Sequence, residues 1–262
     1  MNPTTLRLER PTPALARVTL ARPEVRNAFD EGLIAELTAV FRALDADATV
    51  RVVVLAADGP AFCAGADLHW MRRMAEHSRA ENLADARALA ELLRTIAACR
   101  PPTLARVQGD AYAGGIGLVA ACDLAVAADT AQFCLSEVRL GLLPATIAPY
   151  VVRAIGSRAA QRYCLSAERF DAPTARSLGL VHEIAPAQAL DACVQHFVDA
   201  LLAASPQALA ACKRLLHEVA GRPLDATLIA HTAEAIADAR GSDEGREGIA
   251  AFLARRKPRW AP

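Results

Sequence analysis

The sequence predicts an α/β fold that ends in a helical region, on three observations. Strand-like and helix-like segments alternate through the first half of the chain. The strand-like ones include short β-branched runs of the kind a parallel sheet buries on both faces. Toward the C-terminus helical periodicity and helix-capping residues take over. With 262 residues, 53% hydrophobic and 22% charged, the chain is long enough for one large core with a helical extension.

Taken in order, "ALARVTLA" sets Ala16, Val18 and Leu20 on one face at period two, and "VRVVVLAA" is continuous and β-branched. Between them Leu33, Leu37, Val40, Phe41 and Leu44 recur at helical spacing behind Asp30, a candidate N-cap. That is a βαβ pattern. After "DGPAFCAGAD", Trp70, Met71 and Met74 share a helical face. Leu83, Ala86, Ala90, Leu93 and Ala97 form a longer stripe that stops before Pro101 and Pro102. "TLARV" reads as a third strand, and "DLAVAA" and "AQFCL" as further strand. Asp171 with Pro173 opens a helix that ends at Gly179, Ser205–Pro206 opens another that ends near Gly221, and Ser242 caps the last. The expected division is a core over 1–195 and a helical region over 196–262, with no internal repeat or low-complexity linker.

Composition narrows the function. Twenty-nine basic and 29 acidic residues leave no net field to recruit nucleic acid or an anionic membrane surface. The seven cysteines, at 63, 99, 122, 134, 164, 193 and 212, are odd in number and form no CxxC pair, so they read as small core residues in a reducing compartment. The N-terminus has no apolar leader block and no later stretch reaches the length of a membrane span. The expectation is a soluble cytoplasmic protein. Histidines at 69, 77, 182, 196, 217 and 231 show no HxxxH or HxH spacing, so no metal site is expected.

"GDAYAGGIGLVAACD", residues 109–123, bares the backbone where a helix begins. Gly115-x-Gly117-x-x-Ala120 formally fits a dinucleotide fingerprint, but several residues separate it from "TLARV" and the helix is too short for a full crossover. Close packing of a helix on a sheet is a second explanation, at up to about 1 kcal/mol per glycine relative to alanine. The third is that free N–H groups at a helix start face a ligand oxygen. "AFCAGADL" is another small-residue loop entering a helix, so two loops could aim two N–H groups at one carbonyl oxygen. That would be an oxyanion hole.

At these residues the sequence resembles the crotonase superfamily, the enoyl-CoA hydratase/isomerase family. "RPEVRNAF", "AFCAGADL", "GDAYAGGIGLVAACDLAVAA", "AQFCLSEVRLGLLPA", "ARSLGLVHEI" and "EGIAAFLARRKPRW" follow the family's order over nearly the whole chain. Within the family, "CAGADLHWMRRMA" and "FCLSEVRLGLLPATIAPYVVRAIG" look most like the bacterial 3-methylglutaconyl-CoA hydratases. The resemblance implies a ββα spiral core with a C-terminal helical region, a trimer or dimer of trimers, an acyl-CoA thioester substrate, and no cofactor beyond the CoA carried by that substrate. By position it places the oxyanion amides at Ala64 and Gly114 and the catalytic acid/base at Glu137. It puts Arg26, Ala66, Asp67, Leu68, Trp70, Gly115 and Lys257 along the CoA and acyl path, although Trp70 on an apolar face also reads as core and "ARRKPR" as a solvated surface.

One departure stands out. Family hydratases carry a second glutamate three positions after Gly114, and this chain has Gly117 there. Glu137 alone would suffice for a double-bond shift, the chemistry of family isomerases that keep only this acid. The subgroup resemblance points instead to hydration of a branched, carboxylated enoyl-CoA, with Arg72, Arg73 or Arg139 available for the free carboxylate. Asp110, Tyr112 and Ser136 are the compensating polar candidates, each also explicable as local backbone hydrogen bonding. The bland role for Glu137 is a salt bridge to Arg139. A crotonase-fold protein that binds acyl-CoA without turnover is the competing class, set apart by the absence of Glu137-dependent chemistry.

Overall fold

The computed structural model describes residues 5–261. β1 (Leu6–Thr12) and β2 (Leu15–Leu20) pair antiparallel, and α1 (Glu31–Ala46) leads to β3 (Val52–Ala57) and β4 (Ala61–Cys63). Then come α2 (Leu68–Glu76), α3 (Arg79–Ala98), β5 (Thr103–Val107), β6 (Asp110–Tyr112), α4 (Gly114–Ala121), β7 (Leu124–Ala128) and β8 (Gln132–Cys134). α5 (Ala148–Ser166), β9 (Arg169–Asp171), α6 (Ala172–Leu178), β10 (Glu183–Ala185), α7 (Leu190–Ala203), α8 (Pro206–Val219), α9 (Ala226–Gly241) and α10 (Asp243–Leu253) complete the chain. Most helices start on a capping side chain, an exchange worth about 1 kcal/mol each: Asp30 accepts from the Leu33 N–H, Asp171 from Thr174, Ser205 from Ala208 and Ser242 from Gly245.

The strands sort into two sheets. A six-stranded sheet runs β1-β2-β3-β5-β7-β10, parallel from β2 onward, and a four-stranded sheet runs β4-β6-β8-β9. Each of β3, β5 and β7 is followed by a short strand of the second sheet and then by helix, so the chain climbs as a ββα spiral. Parallel neighbours require such crossovers. The arrangement brings the ends of β4, β6 and β8 side by side, and every candidate catalytic residue lies just beyond one of them.

The fully buried β3 matches the continuous apolar run of the sequence, and β5 is buried except at Arg106. The stripe expected on α3 is corrected. Leu83, Ala86 and Ala90 are exposed, whereas Leu92, Leu93, Thr95 and Ile96 are buried, because α3 packs against α1 and α4 through its C-terminal half. Residue 195 falls inside α7, whose Leu190, Val194 and Val198 cover Val52, Val54, Leu104 and Val126 on one face of the large sheet. The main core fills the other face. α8–α10 attach through polar anchors: the Arg51 guanidinium donates to the carbonyls of Leu202, Ala204 and Trp260, and the Lys213 ammonium meets Asp123 at 2.7 Å. Among the described residues no helix is long and apolar enough to cross a membrane.

Candidate active site

The first loop of the site is shaped by its neighbour in space. Residues 26–29 run beside 64–67: the Ala64 N–H donates to the Arg26 carbonyl (3.0 Å), Phe29 to Gly65 (2.8 Å) and Asp67 to Phe29 (2.9 Å). Ala64 therefore cannot be the free donor expected of it, since its hydrogen points into this pairing. In a parallel bridge the residue opposite the bonded one turns its own N–H the other way. That residue is Ala66, and among amides 64–67 its N–H alone has no acceptor within the described residues. Asp67 caps α2, accepting from the His69 and Trp70 N–H groups, with its side chain 8% exposed beside Arg22. The neighbouring turn is built by Asn27, fully buried at φ 53°, whose amide donates to the Asp58 and Ala61 carbonyls.

The second loop turns sharply at Ala113, which holds φ 48° and ψ −121°, so that α4 begins on Gly114. As first helical residue, Gly114 has no intrahelical acceptor, and its N–H is free within the described residues. It lies next to the first loop: a Cβ on Gly65 would sit 3.7 Å from the Gly114 nitrogen. Two unbonded N–H groups thus flank Gly65, one at the positive end of a buried helix. Glycine is required at 114 because a Cβ there would lie 2.2 Å from the Phe29 ring tip. Gly115 likewise admits the Cys63 carbonyl.

Gly117 is also closed to a side chain. A Cβ there would meet Ile147 Cγ2 at 2.2 Å and Cβ at 2.9 Å, with Leu93 Cδ2 at 3.6 Å. Ile147 and Leu93 are themselves buried. The second acid is absent from the sequence, and the space its first carbon would need is occupied.

Glu137 opens a short 3₁₀ turn after β8. It is half-buried, and its Oε2 is buried with no hydrogen-bond partner among the described residues. The bridge to Arg139 is not formed. Burial pushes the Glu137 carboxyl above the usual carboxylate range, partly countered by its own backbone N–H. An unpaired carboxyl made more basic by desolvation is poised to accept and return a proton.

The remaining candidates separate into groups. Trp70, expected on the acyl path, is 4% exposed and packs edge-on against Phe29 at 6.2 Å, so it belongs to the core. Leu68 is exposed at the start of α2, and Arg26 is exposed in the first loop. Lys257 follows α10, whose contacts are with α8 and α9. Tyr112 donates its hydroxyl to Asp110, which also accepts the Gln132 N–H, so both are tied into the small sheet. Ser136 makes no side-chain cap. Arg73 donates to both oxygens of Glu31. Sequence reasoning passed over Arg22, Phe29 and Ile147; of the buried Asn27 turn, its readiness for a left-handed φ was the only available signal.

Two amides for one oxygen and one basic carboxyl can stabilise an enolate-like thioester while moving a proton at the adjacent carbon. The profile of the Enoyl-CoA hydratase/isomerase family matches residues 11–262. An enoyl-CoA hydratase of Alternaria alternata is 35% identical over 93% of this chain and 80% of its own length. The 2,3-dehydroadipyl-CoA hydratase of Escherichia coli is 32% identical over 92% of each. The crystal structure of an enoyl-CoA hydratase from Shewanella pealeana superposes with a TM-score of 0.95 at 44% identity, covering 98% of this chain and 96% of that one. The fold is the crotonase fold, and the chain is an enzyme of the enoyl-CoA hydratase/isomerase family.

Proposed function

We propose that this enzyme adds water across the C2=C3 bond of an enoyl-CoA whose acyl chain is branched and carboxylated, such as 3-methylglutaconyl-CoA. The observation that carries the assignment is Glu137, with a buried, unpartnered Oε2 and a carboxyl made more basic by burial. Its carboxylate takes a proton from water as the water oxygen bonds to C3. The π electrons move through C2 onto the thioester oxygen, where the Ala66 and Gly114 N–H groups receive the charge. Protonated Glu137 then delivers its proton to C2 as the enolate collapses. One group on one face of the substrate does both transfers, so H and OH add to the same side. No cofactor enters beyond the CoA of the substrate.

Arg26, Leu68, Gly115 and Lys257 are assigned to the CoA path, and Arg72 or Arg139, which form no ion pair among the described residues, to the free carboxylate of the acyl chain. Exposed Ile229, Ile236, Ile249 and Phe252 on α9 and α10 suit burial in a trimer or a dimer of trimers. Seven unpaired thiols fit a cytoplasmic enzyme. The closed Gly117 position favours one second reading, a double-bond shift by Glu137 alone.

Purified protein incubated with 3-methylglutaconyl-CoA, crotonyl-CoA and a 3-enoyl-CoA, with products identified by mass and chromatography, separates the two. A gain of one water that vanishes in Glu137→Gln is expected. An unchanged mass with a moved double bond would make the enzyme an isomerase, and full turnover by Glu137→Gln would remove Glu137 from either role.

A further inference from the structure

The aim of the Ala66 N–H is set by its surroundings, and one side chain touches most of them. The Arg22 guanidinium donates Nη1 to the Ala28 carbonyl (2.9 Å), pairs Nη1 with Asp30 (2.9 Å) and directs Nη2 to Asp67 (3.3 Å). Ala28 and Asp30 flank Phe29, the residue whose backbone holds Gly65 and Asp67. Asp67 in turn directly follows Ala66. The same two aspartates cap α1 and α2, so one cation ties together two helix starts and both sides of the bridge. The Arg22 backbone continues the pattern, donating to Asn27 Oδ1 at 2.9 Å. The side chain is 17% exposed, largely shielded from the water that would weaken these contacts.

We propose that Arg22 is a positioning residue for the oxyanion site: its planar fork fixes the gap between the Ala66 and Gly114 N–H groups without touching substrate. Lysine carries the same charge but as a point, and it cannot span three acceptors in one plane. The inference rests on the assignment of those two amides under the proposed function. Losing one such donor outright costs about 10²- to 10³-fold in kcat. Misaiming it costs less, so Arg22→Lys should lower kcat by about tenfold, and Arg22→Met by up to about a hundredfold, with KM for the acyl-CoA changed less than about threefold.

The test uses the full-length protein and two readouts. Hexanoyl-CoA, a saturated and unreactive thioester carrying a ¹³C=O label, reports hydrogen bonding to its carbonyl through the infrared stretch on binding. The wild type should show a downshift, and Arg22→Lys a clearly smaller one, alongside its kcat loss. Thermal unfolding checks that the variant is folded. Asp30→Asn, which removes one ionic partner while retaining a side-chain cap, should give an intermediate downshift if Arg22→Met fails to fold. An undiminished downshift and kcat in folded Arg22→Lys would reduce Arg22 to a structural role. No downshift in the wild type would instead overturn the two-amide site, and the role of Arg22 with it.

Discussion

Gly117→Glu supplies the acid that hydratases of this family pair with the one at 137, and the structure predicts that it fails unless Ile147 also yields. Its Cβ would sit 2.2 Å from Ile147 Cγ2 and 2.9 Å from Ile147 Cβ. Alanine-like propensity returns up to about 1 kcal/mol in the helix interior, while overpacking of this kind costs about 1–3 kcal/mol. The rest of the side chain must also bury a carboxylate near Leu93, which is 0% exposed, adding about 3 kcal/mol or more. A net loss of about 3–5 kcal/mol lowers the melting temperature of a chain this size by roughly 6–20 °C. Ile147→Gly removes both close atoms, at the N-cap of α5 where glycine is tolerated. Alone it should cost about 2–5 kcal/mol as a core truncation. In the Gly117→Glu background it should cost about 2–3 kcal/mol less than that, the coupling of two contacting sites. Melting curves of wild type, both single variants and the double read this cycle. Crotonyl-CoA hydration, followed by loss of enoyl-thioester absorbance, should rise at least about tenfold in the double over Ile147→Gly, within what a positioned acid supplies. A Gly117→Glu protein that melts with the wild type, or costs that simply add, would refute the claim that Ile147 closes this position.

Four further outcomes concern Glu137 and the Lys213–Asp123 pair. Glu137→Gln should lose about 10²- to 10⁴-fold in turnover, and the wild-type kcat/KM should rise with pH through a midpoint above the usual carboxylate range, because burial raises that carboxyl. For stability the sign is opposite: a carboxyl whose folded-state affinity for protons is raised stabilises the fold only while protonated, and that contribution is lost as pH climbs through the raised value. Glu137→Gln should therefore melt higher than wild type at neutral pH, with the gain shrinking as pH falls into the acid range; a gain that is constant with pH would contradict this. Lys213→Met should destabilise by about 1.5–3 kcal/mol by removing the ionic partner of Asp123, which keeps the Thr103 N–H and hydroxyl as donors, read as the urea midpoint, whereas a loss under about 0.5 kcal/mol would mean the pair does not anchor the C-terminal helices.

The periodic elements were legible because their chemistry is local. Asp30, Asp171, Ser205 and Ser242 each cap the helix they were expected to start, and "VRVVVLAA" and "TLARV" are buried parallel strands. The strands β4, β6, β9 and β10, of three residues each, are held by pairing across the chain and carry too little periodicity to be seen. In the site, Glu137 and Gly114 were placed by motif position. The Ala64 amide was misassigned because two amides two residues apart in a small-residue loop look alike until a neighbouring strand takes one of them.

By itself the sequence determined which chemistry is available here: one candidate carboxylate, bare glycines where a helix begins, and no second acid three positions on. Each of these is a statement about residue type. Only the tertiary structure decided direction and space: which amide is free, that Glu137 has no ionic partner among the described residues, and that Ile147 stands where a second acid would begin. Those depend on segments far apart in the chain meeting within a few ångströms, and close packing leaves each such position only one occupant.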